Sequence, residues 1–349
     1  MPQGKRAARV RRMPWERLPW SELMRVRLRD LGVSIEGSWL EPQIDQLRRE
    51  LLDRALVFQP TIWLSEEWFS PLGIPGFAAP FYLAHPRLMR LERSQMLDVE
   101  GGTHGECMRI LRHETGHAIQ HAYRLHHRRR WRYLFGSSAQ PYPDQYRPNP
   151  ASKQHVQHLR LWYAQSHPDE DFAETFAVWM RPRRRWRKRY AAWPIALRKL
   201  EYVDELMAEV GGELPLVTSR AVVEPLHRIP TTLGAHYDAR RRRYVVEVPN
   251  TYDRDLQRLF SRDPAHRAHE SAAAFLRRHR TTIRQLVARW SGEYQITLDA
   301  VLTDMIVRCR ELRLRAVGAE RPLVTNFAVL LAVTIARVLY SRRREWIVL

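Results

Sequence analysis

Cysteine is nearly absent. Two occur in 349 residues, Cys107 and Cys309, so no disulfide framework staples the fold and a reducing, cytoplasmic setting is expected. Lysine is almost as scarce: Lys5, Lys153, Lys188 and Lys199 stand among 58 basic residues, so arginine carries the net charge of +20. A general preference for arginine produces that skew without selection for a polyanion. Charge sets solubility and non-specific attraction rather than a reaction. A nucleic-acid partner is therefore left open but not favoured. Long apolar runs are missing too. The most apolar segment, LVTNFAVLLAVTIARVLY (323–340), is interrupted by Asn326 and Arg337. It falls short of the roughly 20 apolar residues that a membrane span needs, and reads as a buried helix. The basic start, MPQGKRAARVRRMPW, has no apolar stretch behind it. It reads as a loose tail over residues 1–14, not as a signal peptide.

What is present describes a folded protein, with 44% hydrophobic and 28% charged residues in a chain long enough for one large domain or two ordinary ones. Helices are expected around PWSELMRVRLRDLG and EPQIDQLRRELLDRAL, where Ile44, Leu47, Leu51 and Leu52 recur at helical spacing. The next stretch, from VFQPTIWLS to GFAAPFYLAHP, breaks at Pro and Gly and is rich in aromatic and β-branched residues. Two short strands are predicted there. Residues 102–127 read as a helix and 128–168 as a long connection. EVGGELPLVTSR reads as a boundary, giving one domain over 15–212 and a mainly helical region over 213–349. That second region opens with a predicted β-hairpin in TTLGAHYDARRRRYVVEVP.

Chemistry concentrates in MRILRHETGHAIQHAY, which places His113, Glu114 and His117 in the order H-E-x-x-H. On a helix, residues four apart share a face about 6 Å apart along the axis, so two imidazoles can grip one metal ion. Glu114, one position on, then stands beside the open coordination position, where it can take a proton from water. Thr115 and Gly116 are small, which suits a closely packed helix. His121 lies about 12 Å along the axis from His113, too far to share its metal, so a third ligand must come from elsewhere.

The best source is YAQSHPDEDFAETFAVWM (163–180). Ser166 or His167 can cap this helix, Pro168 suits its first turn, and Asp169, Glu170 and Asp171 complement its positive end. Glu170 and Glu174 stand four apart. One can bind zinc while the other accepts a hydrogen bond from a ligand histidine, and an acid in mid-helix at 174 needs such a partner if the helix is packed.

The combination of H-E-x-x-H with E-x-x-A-E-x-F on a second helix resembles the gluzincin metallopeptidases, most closely the lethal-factor-like branch. RLMRLERSQMLDVEGG, MRILRHETGHAI and WYAQSHPDEDFAETFAVW are more narrowly similar to a bacterial family of zinc-binding metallopeptidases, over roughly residues 20–185. The resemblance implies an α+β fold. Its zincin-like region has a short mixed sheet packed on the motif helix and a second ligand helix, and here a mainly helical region with a hairpin follows. It implies His113, His117 and Glu170 as zinc ligands, Glu114 as general base, and Glu174 as the carboxylate behind a ligand. Tyr163, seven residues before Glu170, is implied to stabilise the oxyanion. Asp171 is a weaker alternative ligand, because its direction differs from that of Glu170 by about 100°. Arg112, before the motif, departs from the uncharged residue common in such proteases. The expected activity is that of a zinc metalloendopeptidase acting on protein or peptide. The alternative is a nucleic-acid-associated protein with a structural or inactive zinc site.

Other features read more plainly. RRRWRY (128–133) and RRRWRKRY (183–190) are expected to be solvated helix ends with Trp131 and Trp186 packed inward. His126, His127, His155 and His158 are read as scattered polar residues, and Cys107 as a small apolar one. QPYPDQYRPNP is either a lid or an ordered connection. GFAAPFYLAHP offers an edge strand to an extended substrate.

Overall fold

Local capping signals bound the two helices that matter most. In the helix His104–Ala122, hereafter the motif helix, the Thr103 side chain caps the first turn by accepting from the Glu106 amide at 3.3 Å. In Pro168–Met180, the carboxylate helix, His167 caps by accepting from the Asp169 amide at 3.1 Å, and Pro168 opens the first turn. Both are buried over most of their lengths. The structure is a computed structural model that describes residues 13–143, 145–182, 185–243, 252–342 and 347–348. Of the expected basic tail, residues 1–12 lie outside the described residues.

The chain divides into two compact units. One takes in the chain through Arg93, Val99–His236 and Val348; the other holds Ser94–Asp98 and Tyr237–Ile347. The division falls further along the chain than the boundary read after residue 212. Residues beyond 212 stay with the first unit through main-chain contacts. The Val217 amide donates to the Ala122 carbonyl at 2.9 Å, and the Trp63 indole donates to the Val223 carbonyl at 2.8 Å.

Within the first unit, the two predicted strands form as β1 (Thr61–Ser65) and β2 (Gly76–Pro80). They pair in parallel, Thr61 opposite Gly76 through Ser65 opposite Pro80. On its other side, β2 meets Phe69 in a single antiparallel bridge, with the Ala78 amide donating to the Phe69 carbonyl at 2.9 Å. The edge expected to be free for substrate is therefore occupied at Ala78. Helices with a small sheet make the fold α+β, as expected; the sheet is a parallel pair rather than the mixed one implied.

The helix Glu41–Asp53 buries Ile44, Leu47 and Leu51, while Leu52 faces solvent. It also supplies Glu50, which receives two parallel hydrogen bonds of 2.7 Å from the Arg112 guanidinium. This buried pair accommodates the arginine before the motif. Behind the carboxylate helix, Trp131 and Phe135 close on Phe172 at centroid distances of 5.8 and 5.4 Å, and Phe176 continues the stack to Trp179.

In the second unit, Ala272–Arg278, Arg280–Ser291, Gln295–Glu311 and Glu320–Arg342 enclose a core that includes Phe260, Phe275, Ile283, Leu302, Met305, Phe327 and Leu331. The apolar segment near the C-terminus is a helix with Phe327, Leu331 and Ile335 buried, as expected. No described helix is long and apolar enough to cross a membrane. The hairpin reading is corrected: Leu233–Arg243 is helical. Thr232 caps it from the Ala235 amide, and Leu233, His236 and Tyr237 bury one helical face. The β-branched part of that motif, 244–249, lies outside the described residues.

Candidate metal centre

The motif and carboxylate helices cross at Gly116. A Cβ added there would stand 2.7 Å from the Ala173 Cα, so only glycine permits this approach. Gln120 Nε2 donates to Asp169 Oδ1 at 2.8 Å one turn further along. The contact brings the polar faces of both helices together inside the unit.

There His113 Nε2 lies 3.1 Å from His117 Nε2, and Glu170 Oε2 lies 3.0 and 3.2 Å from these two nitrogens. His113, His117 and Glu170 form the one group of three potential metal ligands among the described residues whose donor atoms lie within 4.8 Å of one another. All three residues are buried. Zinc with bonds of 2.0–2.1 Å sets tetrahedral ligands about 3.3 Å apart, close to this triangle. Two imidazole nitrogens facing one another at 3.1 Å can share only one proton, whereas a cation satisfies both and the carboxylate. The donor set therefore fits zinc.

Glu174 stands behind the triangle. Its Oε1 lies 3.0 Å from His113 Nδ1, and its Oε2 accepts from the His158 and Leu159 amides at 3.2 and 2.9 Å. That fixes the His113 tautomer with its proton on Nδ1 and leaves Nε2 free for the triangle. Burial opposes charge on both groups. Without a cation between the donors, the two carboxylates outweigh burial at His113 and raise its pKa well above the ordinary value. At Glu170 the imidazoles outweigh burial and hold the carboxyl well below the usual range.

Glu114, which follows His113 on the motif helix, accepts from the Ser70 hydroxyl at 2.8 Å on Oε2. The Tyr163 ring lies 5.8 Å from the His113 ring. Burial, reinforced by the charges of Glu170 and Glu114, raises its pKa and keeps its hydroxyl protonated as a donor. Two consecutive left-handed residues precede it, Leu161 at φ 59° and Trp162 at φ 54°. Neither is glycine, so the turn is strained. The Tyr146 hydroxyl secures it by donating to the Leu161 carbonyl at 2.9 Å.

Asp171, the alternative ligand, points away and pairs with Lys199; burial pushes its carboxyl up to about 7 against the pull of that ammonium. His121 stays outside the triangle, its ring 5.8 Å from that of His126. Trp131 and Trp186 are buried, as expected, and Arg128, Arg130 and Arg187 pair with Glu209, Glu205 and Asp204. Residues 183 and 184 of the second arginine run lie outside the described residues.

Sequence reasoning missed Ser70, Tyr142 and Tyr146. Tyr142, from the long connection, donates its hydroxyl to Glu170 Oε1 at 3.1 Å. Ser70 and Tyr142 come from irregular segments and Tyr146 from a strand of two residues, too short for periodicity to mark an inward-facing position.

Residues 106–191 match the model of a family described as "Putative zinc-binding metallo-peptidase". The match spans both histidines, Glu114, Tyr163 and both glutamates, and it bears out the family resemblance read from the motifs. It does not distinguish the lethal-factor-like branch. No curated protein and no solved structure matches the chain.

Proposed function

We propose that this chain is a zinc metalloendopeptidase acting on protein or peptide in the cytoplasm. The observation that carries the reading is the buried His113–His117–Glu170 triangle, with buried Glu114 directly after His113 on the same helix. Zinc in that site supplies Lewis-acid activation of water and of the scissile carbonyl. Three protein donors leave a coordination position for chemistry, whereas a structural site closes all four.

The remaining roles belong to side chains. Glu114 accepts the proton of the attacking water and passes it to the departing amine, so the nitrogen leaves neutral. The Ser70 hydroxyl holds Glu114 at Oε2 until a water takes its place. Tyr163 donates its hydroxyl toward the oxygen that gains negative charge. Glu174 keeps His113 turned toward the triangle, and the Gly116–Ala173 contact holds the donors of both helices in register.

Elemental analysis and a peptidase assay on an unfolded protein substrate test the reading together. The expected result is about one zinc per chain, absent in His117→Ala but retained in Glu114→Gln, with cleavage lost in both variants. Wild-type protein that binds no zinc after reconstitution would overturn it. The alternative of a nucleic-acid-associated protein rests on the net charge of +20, and the pairing of Arg128, Arg130 and Arg187 with acids weakens it.

A further inference from the structure

The connection between Phe135 and Pro168 is anchored across the first turn of the carboxylate helix. Ser138 Oγ donates to Asp169 Oδ2 at 2.9 Å. His167 accepts the Asp169 amide on Nδ1, so its proton sits on Nε2 and is donated to the Gln140 carbonyl at 3.0 Å. The Tyr142 ring then stacks on the His167 ring, with centroids 3.8 Å apart and planes 15° from parallel. These contacts deliver the Tyr142 hydroxyl to Glu170 Oε1 at 3.1 Å, while Glu170 Oε2 faces both histidine nitrogens.

We propose that Tyr142 is a positioning residue that restricts Glu170 to a single metal-binding oxygen. The inference rests on reading the triangle as a metal site. A carboxylate can bind a metal through one oxygen or both. If both oxygens of Glu170 bound, the second would fill the position that three donors leave for water and would supply more electron density to the metal. A phenol hydrogen bond on Oε1 opposes that rotation and draws density away from the carboxylate. The stack on His167 matters because it fixes where the hydroxyl stands. The tyrosine ring is half exposed, so its removal from the site need not disturb the core.

Cobalt(II) serves as the probe, because its visible absorption is intense when four-coordinate and much weaker when five-coordinate. Wild type and Tyr142→Phe, which keeps the ring and loses only the hydroxyl, are each titrated with Co²⁺, and thermal melts check that both fold alike. The expected result is one Co²⁺ per chain in both, with an intense band in wild type and a several-fold weaker band in Tyr142→Phe. Zinc release to a chelator is expected to be several-fold slower in the variant, because a carboxylate bound through both oxygens holds the metal by one bond more. Identical spectra and release rates would overturn the role of Tyr142 and leave the metal centre standing. Wild type that binds no Co²⁺ would instead overturn the metal reading, and this inference with it.

Discussion

Gly116 meets Ala173 backbone to backbone: a Cβ at 116 would stand 2.7 Å from the Ala173 Cα and 3.1 Å from its carbonyl oxygen. In an exposed helix, Gly→Ala stabilises by about 1 kcal/mol. Here the obstacle is backbone, which cannot swing aside, so the clash wins. Gly116→Ala is expected to lower stability by about 1–3 kcal/mol in urea unfolding. It is also expected to weaken zinc binding, because the ligands sit on opposite sides of that contact. An alanine variant with wild-type stability and zinc affinity would show that the crossing has slack.

Glu174 satisfies His113 and two backbone amides at once. Glu174→Ala should weaken zinc binding by about 10–100-fold, the usual cost of losing such a partner. Competition with a chromophoric chelator measures this, and an unchanged Kd would contradict it.

The Glu50–Arg112 pair is buried and bidentate. Arg112→Leu leaves a buried carboxylate unpaired and should cost about 3–5 kcal/mol. The double variant Glu50→Leu with Arg112→Leu should recover most of that loss, because it removes both charges. A double-mutant cycle on denaturation midpoints shows whether it does.

Burial pushes His121 and His158 down to about 4. A folded pKa below the unfolded value near 6.5 means that the unfolded chain binds more protons between those limits. Stability from these groups is complete above about pH 6.5 and falls as pH drops toward 4. Each contributes up to about 3 kcal/mol, at roughly 1.4 kcal/mol per unit. His121 Nδ1 has no hydrogen-bond partner among the described residues, so His121→Leu sacrifices little at neutral pH. Metal-free His121→Leu should lose less thermal stability than wild type between pH 7 and 4.5. Parallel curves would refute the assignment.

Tyr146 holds the Leu161 carbonyl in a turn whose two left-handed residues each cost on the order of 1–3 kcal/mol. Without the hydroxyl, that strain favours relaxation. Tyr146→Phe should speed amide exchange over 160–163 and lower kcat at unchanged zinc content, because Tyr163 follows the turn. Hydrogen exchange that matches wild type would place the restraint elsewhere.

How much could be read in advance follows from how local each signal is. The carboxylate helix was legible to the residue because proline, cap and acids all lie within one turn of its start. The grouping of His113 and His117 with a glutamate was legible from spacing, which puts both histidines on one helical face but left Glu170 and Glu174 open. The family resemblance chose Glu170, the one that lies with the histidines. Tyr142 and Ser70 were not, since an irregular segment has no period that tells which of its side chains turns inward. The arginine-rich stretch at 239–243 was misread as part of a hairpin, because a downstream Val-rich run outweighed the Thr232 cap and the buried face of Leu233, His236 and Tyr237.

The bridge between Phe69 and Ala78 sits one residue from Ser70, the hydroxyl that holds Glu114. An extended chain adding itself to β2 would have to displace the Phe69 carbonyl from the Ala78 amide, and the neighbouring serine would move with it. Docking of such a chain and release of Glu114 from Ser70 would then be one motion, so in the proposed peptidase the same short segment would gate access and arm the site.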